Sequence, residues 1–414
     1  MGSVQTVFHP AGPRSTVGMS SNDAFSRRWL MAGFLWFLLG IAWAPSSKLY
    51  QQGLVALLWL PAALCIWPAR ESLYPLWRHR RVGLIALVAL FTWALISLLW
   101  STAPEPGREA KRMLYPVLFM TGVVLLAGAE PRRLIRPLWV SGIGLALAAF
   151  VSIIMFYGVA GQPWMSRLAG IGQLEHPILG GYVMGVAALW LLCLLPEKRM
   201  QRVVSVVAVL ALVAYMALTQ SRGVWLALLA TVALLPAWRS SRLNWTVSGS
   251  LLALAVLGFM LFEPVVTARG TSYRLEITQA ALAMIGDNPL WGLGAGSGYE
   301  VAVPELKMKF DHSHNVFTHL GIELGLPGLL LWLVVWGGVG VSGWWNRRSA
   351  LGETLLVMWI YATLALMFDG ASLLDTPRPE WMLTWLPIAL WLALMGDESD
   401  RRLQHLPLGD HETR

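Results

Sequence analysis

Long apolar runs separated by short polar clusters recur along the whole chain. The run VGLIALVALFTWALISLLW, residues 82–100, approaches the ~20 residues an α-helix needs to cross ~30 Å of hydrocarbon. Backbone N–H and C=O groups in lipid have no water to bond, so each such run is expected to be helical. Twelve runs qualify: 29–45, 53–69, 82–100, 112–129, 137–158, 177–195, 203–219, 223–238, 245–263, 318–343, 351–370 and 381–396. The pattern predicts an all-α polytopic membrane bundle with about 12 transmembrane helices. The expected segments are a polar tail (1–28), nine spans (29–263), a large loop (264–317), three spans (318–396) and a second tail (397–414).

Most connections are short. The stretch 264–317 is too long to be a structureless link, so it is expected to carry structure and function. Within it, TSYRLEITQAALAMIGDNP predicts a short amphipathic helix, started by Thr271 or Ser272 and ended by Asn288-Pro289. GLGAGSG, residues 292–298, predicts a flexible turn. No strand precedes it, so it is not a dinucleotide fingerprint.

Composition adds three points. Many of the 23 tryptophans end apolar runs (Trp29, Trp43, Trp100, Trp238, Trp245, Trp344, Trp345, Trp381), as an interfacial anchoring belt would. Cys65 and Cys193 lie inside apolar runs and read as small hydrophobes. About 20 of the 31 Lys and Arg fall in alternate connections and the two tails, which the positive-inside rule assigns to the cytoplasm. The net charge of +8 is therefore largely topogenic and does not argue for a nucleic-acid partner. The informative cations lie on the other face, where insertion does not ask for them.

Among those, Arg222 sits in TQSRGVW at a tight hairpin between two spans. An arginine at membrane depth is costly unless paired or solvated, so a functional role outweighs simple snorkelling. Arg167, Arg269 and Arg274 are expected at the same face. Guanidinium forks match phosphate oxygens bidentately, and a lipid-linked pyrophosphate is an anion that sits at that depth. A divalent-metal site would instead need clustered carboxylates there, and no D-x-D is present in the outer loops. No metal and no cofactor are expected.

DHSHNVFTHLGIELGLPG, residues 311–328, gathers His312, His314 and His319 where the long loop enters the tenth span. The spacing matches no zinc template, although Asp311 or Glu323 would complete a ligand set. Ordinary polar residues at a helix entrance are the plain reading. The sharper one is a general base, worth roughly 10²–10⁴-fold. Glu323 and Asp369 are acids inside or at the edge of spans, placed to pair with arginines or to support the helix entrance. Asp375 and Arg378, in the last outer loop, are candidates to close the site.

Four stretches carry a resemblance: RLAGIGQLEHPILGGY (167–182), SRGVWLAL (221–228), the arginine-bearing start of the long loop with PLWGLGAGSG (289–298), and HSHNVFTHLGIELGLPG (312–328). Together with the topology they resemble the O-antigen ligase and polymerase superfamily of bacterial envelope glycosyltransferases. The resemblance implies a GT-C-like, metal-independent, inverting enzyme of the inner membrane. It would transfer O-antigen from undecaprenyl pyrophosphate to the lipid A-core oligosaccharide at the periplasmic face. By position, it makes His314 the base and Arg222 a phosphate ligand. Arg274 and Arg269 become the loop arginines, and Arg167 a further phosphate ligand. His312, Asn315, Glu323, Asp375 and Arg378 are supporting residues.

Chain-extending polymerases of the superfamily often carry R-x10-G in two outer loops. Here the corresponding positions after Arg167, Arg269 and Arg274 are Ile178, Ala280 and Ile285, which favours a ligase. An O-antigen polymerase, a protein O-oligosaccharyltransferase and a non-enzymatic anionic-lipid flippase are the alternatives. A flippase would use the same arginines but needs no base.

Overall fold

The computed structural model describes residues 21–67, 81–267, 273–304, 307–370 and 373–404. Its described residues form thirteen helices and one small sheet. In chain order the helices are α1 (Ser21–Trp43), α2 (Ser47–Ile66), α3 (Arg81–Ser97), α4 (Pro106–Ala127), α5 (Pro131–Val159), α6 (Pro177–Cys193) and α7 (Arg199–Thr219). Then follow α8 (Arg222–Ala233), α9 (Arg242–Thr267), α10 (Arg274–Asp287), α11 (Val316–Trp345), α12 (Ala350–Phe368) and α13 (Trp385–Gln404). Among the described residues six helices, α2, α4, α5, α7, α11 and α12, are long and apolar enough to cross a membrane. Shorter apolar helices are Val82–Ser97 within α3, Pro177–Cys193 (α6) and Arg222–Ala237, which includes α8.

The helices lie where the apolar runs placed them, with shifted ends. α2 starts early because Ser46 caps it, its side chain accepting from the Leu49 N–H at 3.2 Å. Further along α2, Pro61 has no N–H to donate, and the turn before it, Val55–Trp59, is π-helical. α9 continues to Thr267, past the expected boundary at 263.

The core is built from α6, α12 and α13. Nearly every side chain of α6 from Gly180 to Leu191 is buried, and α6 packs on α7, α5 and α12. Lipid-like exteriors occur on α7 and α9, where Leu210, Leu254 and Met260 are exposed. Tryptophan does two jobs. Trp245 and Trp345 are exposed near helix ends, as an anchoring belt requires, but Trp381 is buried. It stacks edge-on with Trp385 in an interior group that also holds Trp332 and Trp391, so its assignment to the interface is corrected.

The long loop is more ordered than the sequence implied. α10 begins at Arg274, after Tyr273 in a left-handed conformation (φ 56°) and without a side-chain cap; Thr271 and Ser272 lie outside the described residues. Val301–Val303 pairs antiparallel with Met308–Phe310 in a two-stranded sheet, an element the all-α expectation did not contain. This sheet packs on α10 through Ile277, Val301 and Val303.

GLGAGSG is not a flexible turn. α11 breaks at Gly325 (φ 65°, ψ −174°), just before Pro327, and the break frees carbonyls. Leu293 N–H donates to Ile322 O (2.8 Å), Gly294 N–H to Glu323 O (2.8 Å) and Trp93 Nε1 to Leu324 O (2.8 Å). The other side of the loop is tied to the end of α3: Ala295 N–H donates to Ser97 Oγ (3.0 Å) and Ser101 Oγ to Ala295 O (2.7 Å). Gly294 has φ 90°, and a Cβ there would stand 2.6 Å from Ser101 Cα. Only glycine fits this splint, which braces the break in α11 at Gly325.

Candidate functional site

Beyond the sheet, the chain turns once and enters α11. Asn315 caps that helix, its Oδ1 accepting from Phe317 N–H at 2.9 Å. His314 precedes the cap with φ 52°, an uncommon backbone conformation for a side-chain-bearing residue. Two partners hold it. Arg274 Nη1 donates to His314 O at 3.3 Å, and His314 Nδ1 faces Asp369 Oδ1 at 3.1 Å. Arg274 Nη2 is also 4.0 Å from the same carboxylate oxygen.

Asp369 follows α12, and its side chain is 9% exposed. Burial raises its pKa. The His314 hydrogen bond and the Arg274 charge outweigh burial and leave the carboxyl below the ordinary range. An ionised carboxylate only accepts, so Nδ1 is the donor in this pair, and in a neutral imidazole the lone pair would then lie on Nε2.

His312 lies against His314, with ring centroids 3.9 Å apart. Its Nδ1 is 2.7 Å from Asp311 Oδ1. Burial and the neighbouring His314 lower the His312 pKa, against the pull of Asp311. One donor atom from each of Asp311, His312 and His314 falls within a 4.8 Å cluster able to hold a cation.

The arginines approach from two directions. Arg274 is the first residue of α10 and touches the histidine turn directly. Arg222 is the first residue of α8, after Gln220 in a left-handed conformation (φ 51°) that closes the α7–α8 hairpin. The segment carrying Arg167 is tied to that hairpin by Arg167 Nε to Thr219 O (2.9 Å), Leu168 N–H to Leu218 O (2.9 Å) and Gln220 Nε2 to Met165 O (2.9 Å). Arg167 and Arg222 therefore share one ledge.

That ledge abuts the Asp369 end of α12. A Cβ on Gly223 would stand 2.6 Å from the Tyr182 hydroxyl and 3.3 Å from Phe368 Cβ. α6 begins beside it, since Gly181 packs on Val224 and Thr219. The N-termini of α6, α8 and α11 thus lie at the same end of the bundle, those of α6 and α11 capped by His176 and Asn315. Arg269 lies outside the described residues.

Glu323, Asp375 and Arg378 belong to a separate polar chain behind the histidine turn. His319 Nδ1 is 2.6 Å from the Tyr299 hydroxyl, and its Nε2 is 3.3 Å from Glu323 Oε2, close but not aligned as a hydrogen bond. Glu323 Oε1 accepts from Gly296 N–H at 3.1 Å. Gly296 packs under Glu109, and Glu109 Oε1 accepts from Arg112 Nη1 at 2.9 Å. Arg112 Nε is 3.5 Å from Asp375 Oδ1, and Asp375 Oδ2 pairs with Arg378 Nη2 at 2.9 Å. Glu323, Asp375 and Arg378 thus brace the surroundings and make none of the contacts recorded for His314. Sequence reasoning did not single out Glu109, and it counted Arg112 only among the cations of the outer face. Their signal was the acid–base spacing in GREAKR at the start of a span. Asp369 was read as an acid at a span's edge placed to pair with arginines; its pairing with His314 was not foreseen, because that partner is 55 positions away.

A curated O-antigen ligase from Pseudomonas aeruginosa is 30% identical over 373 residues, covering 88% of this chain and 90% of that protein. The chain belongs to the O-antigen ligase family. The family's sequence model, described as O-antigen ligase, matches residues 207–333. That span runs from α7 into α11 and contains Arg222, Arg274 and His314. The helical, apolar architecture agrees with an integral membrane ligase acting in lipopolysaccharide biosynthesis.

Proposed function

We propose that the protein transfers O-antigen polysaccharide from undecaprenyl pyrophosphate to the lipid A-core oligosaccharide at the periplasmic face of the inner membrane. It is read as a twelve-span, GT-C-like, inverting and metal-independent glycosyltransferase. The observation that carries the proposal is the buried Asp369 behind His314, with Arg274 bound to both.

Asp369 holds His314 in the tautomer whose Nε2 accepts a proton. An acceptor sugar hydroxyl gives that proton to Nε2 as its oxygen attacks the anomeric carbon of the first donor sugar. The bond to the pyrophosphate oxygen breaks on the opposite face of the ring. The electron pair leaves with undecaprenyl pyrophosphate, and the anomeric configuration inverts. Charge builds on the leaving pyrophosphate, where Arg222 and Arg274 stabilise it, with Arg167 on the Arg222 ledge and Arg269 from the start of the long loop. Preorganised cations at a water-poor membrane surface cost little reorganisation in this step. His312, paired with Asp311, acts as a neighbour of the base.

The test is transfer in purified components, with a defined undecaprenyl-pyrophosphate-linked donor and rough lipopolysaccharide as acceptor. A ladder on lipopolysaccharide supports a ligase. Longer chains that stay on the polyprenyl carrier mean a polymerase. Movement of donor across the bilayer without transfer means a flippase.

A further inference from the structure

A second concentration of positive charge lies at the far end of the bundle from His314. Arg27 and Arg28 lie on α1 soon after its start, and Arg132, Arg133 and Arg136 lie at the start of α5. These five residues, with Met31 and Leu126, line one cavity of about 400 Å³. Leu126 is buried and Met31 half-buried, so the floor is apolar, and the five arginine side chains surround it, with Arg28, Arg132 and Arg136 exposed at its mouth.

Only part of this charge is balanced within the protein. Arg133 pairs with Glu130 at 3.0 Å. Among the described residues, no carboxylate pairs with Arg28, Arg132 or Arg136. Positive-inside placement accounts for cations on this face, but it does not ask five of them to share a cavity. Their mutual repulsion is a cost that a bound anion relieves.

α4 fixes the position. Its first turn carries Glu109, over the glycine loop, and its last carries Leu126, in the cavity floor. A helix of 22 residues is about 33 Å long, close to the thickness of the hydrocarbon core. The cavity therefore opens at the membrane surface opposite the glycine loop.

We propose that this cavity binds the headgroup phosphate of an anionic glycerophospholipid from the leaflet facing it. Three features select that class. Guanidinium groups match phosphate oxygens in pairs. Basic pockets between helices at a membrane surface hold anionic headgroups. The apolar floor of Met31 and Leu126 suits the point where a headgroup gives way to acyl chain, which a soluble phosphate does not have. The site is separate from the proposed transfer chemistry and does not depend on it.

The experiment uses the full chain in nanodiscs of phosphatidylcholine with or without phosphatidylglycerol, with lipid retention read by native mass spectrometry. Wild type retains phosphatidylglycerol in preference to phosphatidylcholine. R28Q/R132Q/R136Q weakens that binding on the order of a hundredfold, the effect of three cations at a membrane surface. R199Q/R347Q/R348Q removes equal charge from the same face but outside the cavity, and changes binding by less than about threefold. Thermal midpoints in phosphatidylcholine alone check that both variants fold. If the first does not, R136Q alone decides, with an expected loss of about fivefold. Equal loss in the two triple variants, no preference for phosphatidylglycerol, or displacement of the lipid by inorganic phosphate overturns the proposal.

Discussion

His314 Nδ1 stands 3.1 Å from Asp369 Oδ1, joining the turn before α11 to the end of α12. Asp369 is buried, and Arg274 lies against both the carboxylate and the His314 carbonyl. An imidazole gripped at one nitrogen and at its own backbone has little freedom left, so its other nitrogen points in a fixed direction. Asp369→Asn keeps the shape but removes the charge that fixes the tautomer. It is expected to lower kcat about a hundredfold, with KM changed only a few-fold, in steady-state transfer assays.

The same pair gives a pH signature in stability. The folded pKa of Asp369 lies below its ordinary value despite burial, because of His314 and Arg274. Its stabilising contribution is therefore fully present above the unfolded value of about 3.9 and is lost as pH falls through the folded pKa. Thermal melts of wild type and Asp369→Asn in detergent are expected to differ at pH 7 and converge below about pH 3.9.

His312 is the test of which imidazole acts. It lies against His314 at a tilt of 50° but is paired with the exposed Asp311. His312→Ala is expected to cost less than about tenfold in kcat, against roughly 10²–10⁴-fold for His314→Ala. A chelator is expected to leave the rate unchanged. Added zinc is expected to inhibit wild type through the Asp311–His312–His314 donors, and His312→Ala less, as inhibition curves would show.

The Arg222 hairpin tests the phosphate assignment. Arg222→Lys keeps the charge but loses the planar fork, so kcat/KM for the lipid-linked donor is expected to fall about ten- to a hundredfold. Folding, followed by thermal midpoint, is expected to stay close to wild type.

The glycine splint predicts a contrast within one loop. Gly294→Ala places a Cβ 2.6 Å from the Ser101 backbone at φ 90° and is expected to cost about 2 kcal/mol or more. A Cβ on Gly298 meets nothing within 4 Å, so Gly298→Ala is expected to stay within about 0.5 kcal/mol. Thermal or denaturant unfolding of the two variants makes the comparison.

The helices could be read from the sequence because an apolar run of fixed length has one solution in lipid. Arg222, Arg274 and His314 were legible as polar groups where an apolar chain has no structural use for them. What stayed hidden was non-local. GLGAGSG looks mobile by composition, yet it is held by Ser97, Ser101 and the broken turn of α11. The strands Val301–Val303 and Met308–Phe310 are too short to show alternation. Trp381 ends an apolar run like an anchor, and only packing with Trp385 shows that it faces inward. Asp369 gained its meaning from a partner in another helix pair.

The most direct measurement is the single-turnover rate of O-antigen transfer by His314→Ala, in purified components with donor bound and chelator present. A fall of at least about a hundredfold is expected with donor affinity retained, because the base is lost while the arginines remain. Transfer at the wild-type rate would contradict it.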